Sequence, residues 1–395
     1  MKTVAKPRAH DSLGIALLTY LLLIIVVVTL LPFRFQWPPH LQIILVEEFI
    51  GVVANFCLFL PLGFVYRLNR RQPGDPWCGR PVVFGVAISM GIEVVQLFMP
   101  GRYTSPTDIL ANAVGVWAGA MLHAQVTRRL HERLVDQLAL EMPLMHLFYL
   151  LVPLLWLNSL TVGDELSRLW LLPLLGLCGA MVLAAVWTRR LQPTGALASS
   201  ALAWVIALWF WGGVLPGFVR WPGWLALCGV GLALAARCMV ALPWSMHEDE
   251  RRFEVLTLRR IWPLYIAYVI LMALWPWPWL PGPWQASIGF AEVADIPGVI
   301  PTLRVVAYIA AFTLFGYMVA ESRGRQHEPL LNALRGLLVY SAFVAGGLEC
   351  LRGFHPDHIA SLAHFAVATA AALYGGAIYR LQLVGVRQLL AHHAE

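Results

Sequence analysis

Apolar residues in this chain run in long blocks separated by short polar segments, from one end of the sequence to the other. A helix needs about 20 predominantly apolar residues to cross the hydrocarbon core of a bilayer. Twelve stretches meet that requirement: 13–33, 48–66, 81–99, 108–127, 143–160, 166–187, 196–218, 222–243, 260–280, 297–319, 331–351 and 358–379. The pattern predicts an all-α polytopic membrane protein with about 12 transmembrane helices. The first block follows Lys2, Lys6 and Arg8, as a signal peptide would, but its run from Leu13 to Leu31 is too long for that. It ends in Pro-Phe-Arg-Phe without a small-residue cleavage site, which predicts a retained signal-anchor helix.

Composition agrees with the pattern. Of the 395 residues, 59% are hydrophobic and only 13% charged, with a mean hydropathy of +0.69. A soluble domain is closer to a quarter charged, so a soluble enzyme and a disordered chain are both excluded. The net charge of +6 does not point to nucleic acid, because the basic residues are scattered through short loops rather than clustered. The six cysteines include no CxxC pair and read as small apolar residues, not as a disulfide framework or a metal site. No cofactor is implied.

Basic residues set the orientation. Twenty-one of the 28 Lys and Arg fall at the N-terminus, in every second loop and in the tail, and six fall on the opposite side: Arg34, Arg102, Arg168, Arg220, Arg304 and Arg352. Arg237 lies inside the eighth stretch. This alternation places both termini in the cytoplasm and predicts a multi-pass protein of a bacterial inner membrane. Segment 128–142 spaces Leu130, Leu134 and Leu138 on one face and predicts a short cytoplasmic interfacial helix. Trp-rich stretches such as 275–279 suit the membrane interface.

An ionisable side chain within a membrane costs roughly 2.5–3.5 kcal/mol on insertion scales, so each one is informative. Stretches two to four hold the clearest group. Asn55 lies about 10 Å along its helix from Glu48, and Glu93 about 9 Å from the outer end of the next, at 1.5 Å per residue. Gln96 is one turn nearer the outside than Glu93. An outer loop carries Arg102 and Tyr103. Asp108 and Asn112 then share one helical face, with Asp108 placed to serve as the helix N-cap. These positions bring Asn55, Glu93, Gln96, Asp108 and Asn112 to one level of the outer leaflet, with Arg102 above. Glu93 needs a proton, an Arg102 partner, or hydrogen bonds from Asn55 and Asn112. Pro61 and Gly63 are placed to interrupt the second helix, and Gly85, Gly91, Gly115 and Gly119 allow close helix approach.

The motifs N-x-x-L-F-x-P-L-G-F at 55–64, I-E-x-x-Q at 92–96, Arg102, and D-I-x-x-N-x-x-G at 108–115 resemble the VanZ-like membrane family over residues 15–127. The resemblance implies a four-helix membrane domain and a link to the cell envelope. The family takes its name from a protein associated with teicoplanin resistance. It implies no set of catalytic residues.

An internal repeat is also legible. VVANFCLFLPLGF at 52–64 aligns with VVAYIAAFTLFGY at 305–317, an offset of 253, and AISMGIEVVQL at 87–97 with FVAGGLECLRG at 343–353, an offset of 256. At these offsets Asn55 meets Tyr308, Glu93 meets Glu349, Gln96 meets Arg352, Arg102 meets His358, Asp108 meets His364 and Asn112 meets Ala368. The expected organisation is a four-helix module over 1–142, a central four-helix region over 143–247, and a diverged second module over 248–395, parallel to the first. The second module has its own polar layer in Glu349, Arg352, His358 and His364, with His355 and Asp357 nearby. The spacing of these histidines is not that of a helical zinc site, so ordinary pairing is expected there.

Three functions fit. One is an envelope protein that binds or moves membrane lipids or lipid-linked envelope precursors, with Arg102 meeting an anionic head group. A second is a membrane enzyme using Glu93 and Asp108 as acid and base on a lipid-linked sugar or peptide. The third is a scaffold whose polar groups only join helices. No nucleophile elbow or phosphate-binding glycine loop supports the enzyme, and the balance leans away from it.

Overall fold

A computed structural model describes residues 9–31, 33–37, 49–68, 79–100, 104–129, 142–162, 168–188, 196–241, 253–276, 281–290, 299–323 and 330–393. Arg102, Tyr103, Glu47, Glu48 and almost all of the expected interfacial helix lie outside them. Twelve α-helices are present among the described residues, each on one of the predicted stretches. They are α1 (Ala9–Leu30), α2 (Phe49–Leu68), α3 (Gly79–Gln96), α4 (Pro106–Arg129), α5 (Met142–Val162), α6 (Leu171–Val186), α7 (Ala196–Gly213), α8 (Pro222–Ala241), α9 (Phe253–Leu274), α10 (Val299–Ser322), α11 (Leu330–Gly353) and α12 (Leu362–His393). A five-residue 3₁₀ turn, Leu215–Val219, joins α7 to α8. Five of the twelve contain segments long and apolar enough to cross a membrane: α8, α9, α10, α11 and α12. Shorter apolar helical segments lie in α1, α2, α5, α6 and α7. Large apolar side chains on outward faces, such as Leu227 on α8 and Val339 and Phe343 on α11, are exposed, as lipid-facing positions are. The protein is an all-helical, multi-pass membrane protein.

The chain divides into two compact units, residues 1–140 with 381–395, and residues 141–380. In the first, the core is built from Ile25, Leu30, Phe59, Leu62, Ile92 and Val116 of α1 to α4, with Met99 just past the end of α3. The tightest pairing is α2 against α4, and its cause is the absence of side chains. A Cβ on Gly63 would overlap the carbonyl oxygen of Val116, one on Gly115 that of Phe56, and one on Gly119 that of Leu60. Backbone meets backbone, as in membrane helix pairs where small residues replace the missing hydrophobic drive. Pro61 does not interrupt α2, which runs through it unbroken; the expected break is absent.

In the second unit, α10 is the central element. It is apolar around its whole circumference, and most of it is buried, the signature of a helix enclosed on all sides. It packs on α5, whose Leu150, Leu151, Leu154, Leu155 and Leu157 are buried, and on α9. The Tyr265 hydroxyl on α9 donates to the Ala311 carbonyl of α10 at 2.6 Å. Gly316 and Gly375 bring α10 and α12 together in the same manner as the α2–α4 pair. A Cβ on Gly316 would overlap the carbonyl of Ala372, and one on Gly375 that of Thr313. A short parallel bridge, Ala286 with Ala360 and Ser287 with Ser361, fixes the chain that leads into α12.

Candidate functional site

In the first unit the site is organised by the start of α4. Pro106 occupies the first helical position, where its fixed φ suits the helix and its lack of N–H costs nothing. Ser105 is therefore the N-cap, and Asp108 sits three residues on, not at the cap as the sequence suggested. A Ser-x-x-Asp start resembles a capping box, in which the third residue reaches back to the N-cap amide. Here Glu93 has taken that amide: its Oε2 accepts the Ser105 N–H at 3.0 Å. The Thr104 hydroxyl adds a second clasp, donating to the Glu93 carbonyl at 3.1 Å. The end of α3 is thus bound to the start of α4.

This leaves Asp108 with a vacancy. The residue is 8% exposed, and its Oδ1 has no hydrogen-bond partner among the described residues. One turn on, the Asn112 Nδ2 donates to the Ser89 hydroxyl at 2.9 Å, while Asn112 Oδ1 also has no partner among the described residues. Glu93 is 4% exposed and within electrostatic range of Asp108. No described cation pairs with either carboxylate, and Arg102 lies outside the described residues. Glu93, Asp108 and Asn112 are therefore gathered as predicted, but the bonds differ from those expected: neither Asn55 nor Asn112 reaches Glu93. Asn55 is half-buried and makes no hydrogen bond to a described residue. Gln96 turns away to α1, donating to the Thr29 carbonyl at 3.0 Å. Ser89 and Ser105 were missed by sequence reasoning, although Ser-Pro ahead of an apolar run is an N-terminus signal.

The second unit contains a counterpart. Glu349 Oε2 accepts the Ser361 N–H at 2.8 Å, again twelve residues along the chain. Ser361 caps α12 in full, its hydroxyl accepting the His364 N–H at 3.1 Å. The other Glu349 oxygen is occupied too, by Arg352 Nη1 at 3.1 Å and the Tyr308 hydroxyl at 3.2 Å. Arg352 Nη1 also lies 3.1 Å from His364 Nδ1. A guanidinium can only donate, so His364 Nδ1 is the acceptor and the imidazole carries its proton on Nε2. His355 and His358 do not converge on a common point. His355 Nδ1 accepts the Asp357 N–H, and the Nε2 atoms of His355 and His358 lie against the carbonyls of Pro276 and Trp275. Both rings are used to tie the α11–α12 connection to the end of α9.

Comparison with known proteins bears on the first unit only. Residues 17–128 match the family model described as VanZ/LLP1. The curated Protein VanZ of Enterococcus faecium is 23% identical over 105 residues, which are 27% of this chain and 63% of that protein. The chain thus spans less than two thirds of the length of that relative. No solved structure matches. With most of α1, all of α2 and α3, all but the last residue of α4, and the I-E-x-x-Q and D-I-x-x-N motifs inside the matched range, the N-terminal region of this chain, residues 17–128, is VanZ-like.

Proposed function

We propose that this is an inner-membrane protein of the cell envelope that binds or moves a lipid-linked or amphiphilic cell-surface component, through the polar site of α3 and α4. The carrying observation is the pair of buried acceptors without partners among the described residues, Asp108 Oδ1 and Asn112 Oδ1, one turn apart beside Glu93. A scaffold would satisfy its buried polar atoms, since each orphan costs about 1–3 kcal/mol. Two acceptors and two carboxyl groups suit a ligand that brings donors: sugar hydroxyls or an ammonium group. The same pair of carboxyl groups is the basis of the alternative, an enzyme in which Glu93 and Asp108 act as acid and base. The VanZ-like region supports a further reading, that the protein lowers sensitivity to teicoplanin-type glycopeptides.

The reading includes twelve membrane crossings with both termini cytoplasmic, and a diverged second copy of the module over 248–395 flanking a central region over 143–247. Supporting the second copy, Gly316 and Gly375 stand at the offsets 253 and 256 from Gly63 and Gly119 and make the corresponding backbone contacts. The Glu–Ser clasp recurs at 256.

The test replaces Asp108 by Asn and Glu93 by Gln in the native host, with membrane abundance and glycopeptide sensitivity measured together. Unchanged abundance with heightened sensitivity is the expected result. Unchanged sensitivity at unchanged abundance rejects the site, and a proportional fall of both assigns these residues to the scaffold.

A further inference from the structure

Four residues of the first unit form two rungs between α3 and α4. On one rung the Asn112 carboxamide of α4 is hydrogen-bonded to Ser89 of α3 at 2.9 Å. One turn along each helix, Asp108 of α4 and Glu93 of α3 lie within electrostatic range of each other. All four residues are more than nine-tenths buried. Three of these side chains present an acceptor that receives no hydrogen bond from a described residue: Asp108, Asn112 through Oδ1, and Glu93 through Oε1. With its Nδ2 committed to Ser89, Asn112 has only its oxygen to offer on the face it shares with Asp108.

Charge and donor count together decide what these acceptors take. Two carboxyl groups stand together at membrane depth, and no basic side chain among the described residues pairs with either. An uncompensated charge there is costly. The helix ends do not cancel it: the start of α4 favours an acidic Asp108, but the end of α3 disfavours an acidic Glu93 by the same rule. A water or a sugar hydroxyl brings hydrogen but leaves the charge standing. A quaternary ammonium brings charge but has no N–H. A primary ammonium brings both, with three N–H donors for three acceptor side chains, one of them the uncharged Asn112. Glu93 lies in the last turn of α3 and Asp108 in the first turn of α4. A ligand therefore meets the site at the helix ends, the level of lipid head groups.

We propose that Glu93, Asp108 and Asn112 form a primary-ammonium site, taking the charged amine of an amphiphile's head group or of a free amine. This inference rests on the polar site of α3 and α4 proposed above and names the ligand chemistry of that site.

The test uses the full-length protein in a neutral maltoside detergent at about pH 7, where an alkylamine is protonated. It is titrated with dodecylamine, ethylamine, dodecyltrimethylammonium and sodium chloride at constant ionic strength. Binding is followed by calorimetry and by the thermal unfolding midpoint. Dodecylamine is expected to bind saturably, and dodecyltrimethylammonium at least about tenfold more weakly. Asp108→Asn is expected to weaken dodecylamine by about tenfold or more, and Asn112→Ala, which changes no charge, by about threefold or more. Ethylamine binding with the same residue dependence identifies a free amine as the ligand; binding of dodecylamine alone identifies a head group. Equal binding of the two amphiphilic cations, unchanged affinity in folded variants, saturable sodium binding through the same residues, or no amine binding overturns the proposal. Should the variants not fold, native mass spectrometry of the wild-type protein decides: retention of dodecylamine over dodecyltrimethylammonium supports the site, and equal or no retention overturns it. The assay in the native host separates this inference from the reading beneath it. Heightened glycopeptide sensitivity in Asp108→Asn, without amine binding by the wild-type protein, overturns the ammonium ligand alone. Amine binding with unchanged sensitivity and abundance upholds the ammonium site and rejects its envelope role.

Discussion

The α2–α4 and α10–α12 regions solve one problem with two sets of side chains. In each, glycines press backbone on backbone, and a glutamate near the end of one helix takes the N–H of the serine that caps a later one. Around this shared frame the chemistry diverges. In the first unit the glutamate has an aspartate neighbour, and acceptors are left over. In the second, Tyr308, Arg352 and His364 lie at the offsets of 253 and 256 from Asn55, Gln96 and Asp108, and the glutamate's other oxygen is bonded. The packing pair differs as well: 256 residues on from the hydrogen-bonded Ser89 and Asn112 stand Ala345 and Ala368, both 0% exposed. Under the proposed repeat, a polar pair in one copy is an apolar pair in the other, the exchange that costs least when both partners change. The comparison teaches that the frame carries the fold and the variable positions carry the difference in chemistry.

The sharpest way to break the comparison is at the two glutamates. Glu349→Gln strands the buried Arg352 guanidinium and is expected to cost about 3–5 kcal/mol. Glu93→Gln has no described cation to strand and is expected to cost about 1–3 kcal/mol. Denaturation of purified protein in detergent measures both; equal losses would mean that Glu93 also holds a buried cation. Next come the glycines. Gly119→Ala and Gly375→Ala should each lose about 1–3 kcal/mol, near the upper end, because the obstacle is a carbonyl rather than a movable side chain. A loss at only one of them would show that the two helix pairs are not equivalent.

The caps are expected to differ more gently. Ser361→Ala removes the acceptor for the His364 N–H and should cost about 1 kcal/mol. The Ser105 hydroxyl instead pairs with Thr107 at 2.6 Å, so Ser105→Ala should cost no more than about half of that. The smallest effect tests the concerted change. Asn112→Ala alone should lose roughly 0.6 kcal/mol, whereas Asn112→Ala with Ser89→Ala should recover most of it. A double mutant worse than the sum of the single ones would reject the correspondence with Ala345 and Ala368.

The positions of the helices were legible because hydropathy is a block property that tolerates small errors: each predicted stretch holds one helix, most with ends shifted by a few residues, although α9 starts seven residues earlier than predicted and α12 runs on to His393, well past 379. Gly115 and Gly119 were legible as close contacts. The site was legible only in part. Glu93, Asp108 and Asn112 do gather, but their bonds run through Ser89 and the Ser105 main chain, neither of which an inventory of charged residues reveals. Asp108 was taken for the cap because it is acidic at a helix start, although Pro106 two residues earlier already fixes the boundary. Arg168 and Arg304 were read only as markers of orientation. They line one cavity with Arg352 and His364, residues far apart in sequence, and no local pattern records that.

The bond from Ser105 to Glu93, and its counterpart from Ser361 to Glu349, is given by a peptide nitrogen, not by a side chain. Any residue but proline can supply it. Side-chain exchange at the serine therefore leaves the junction standing, and the neighbouring positions can be refitted without dismantling the joint.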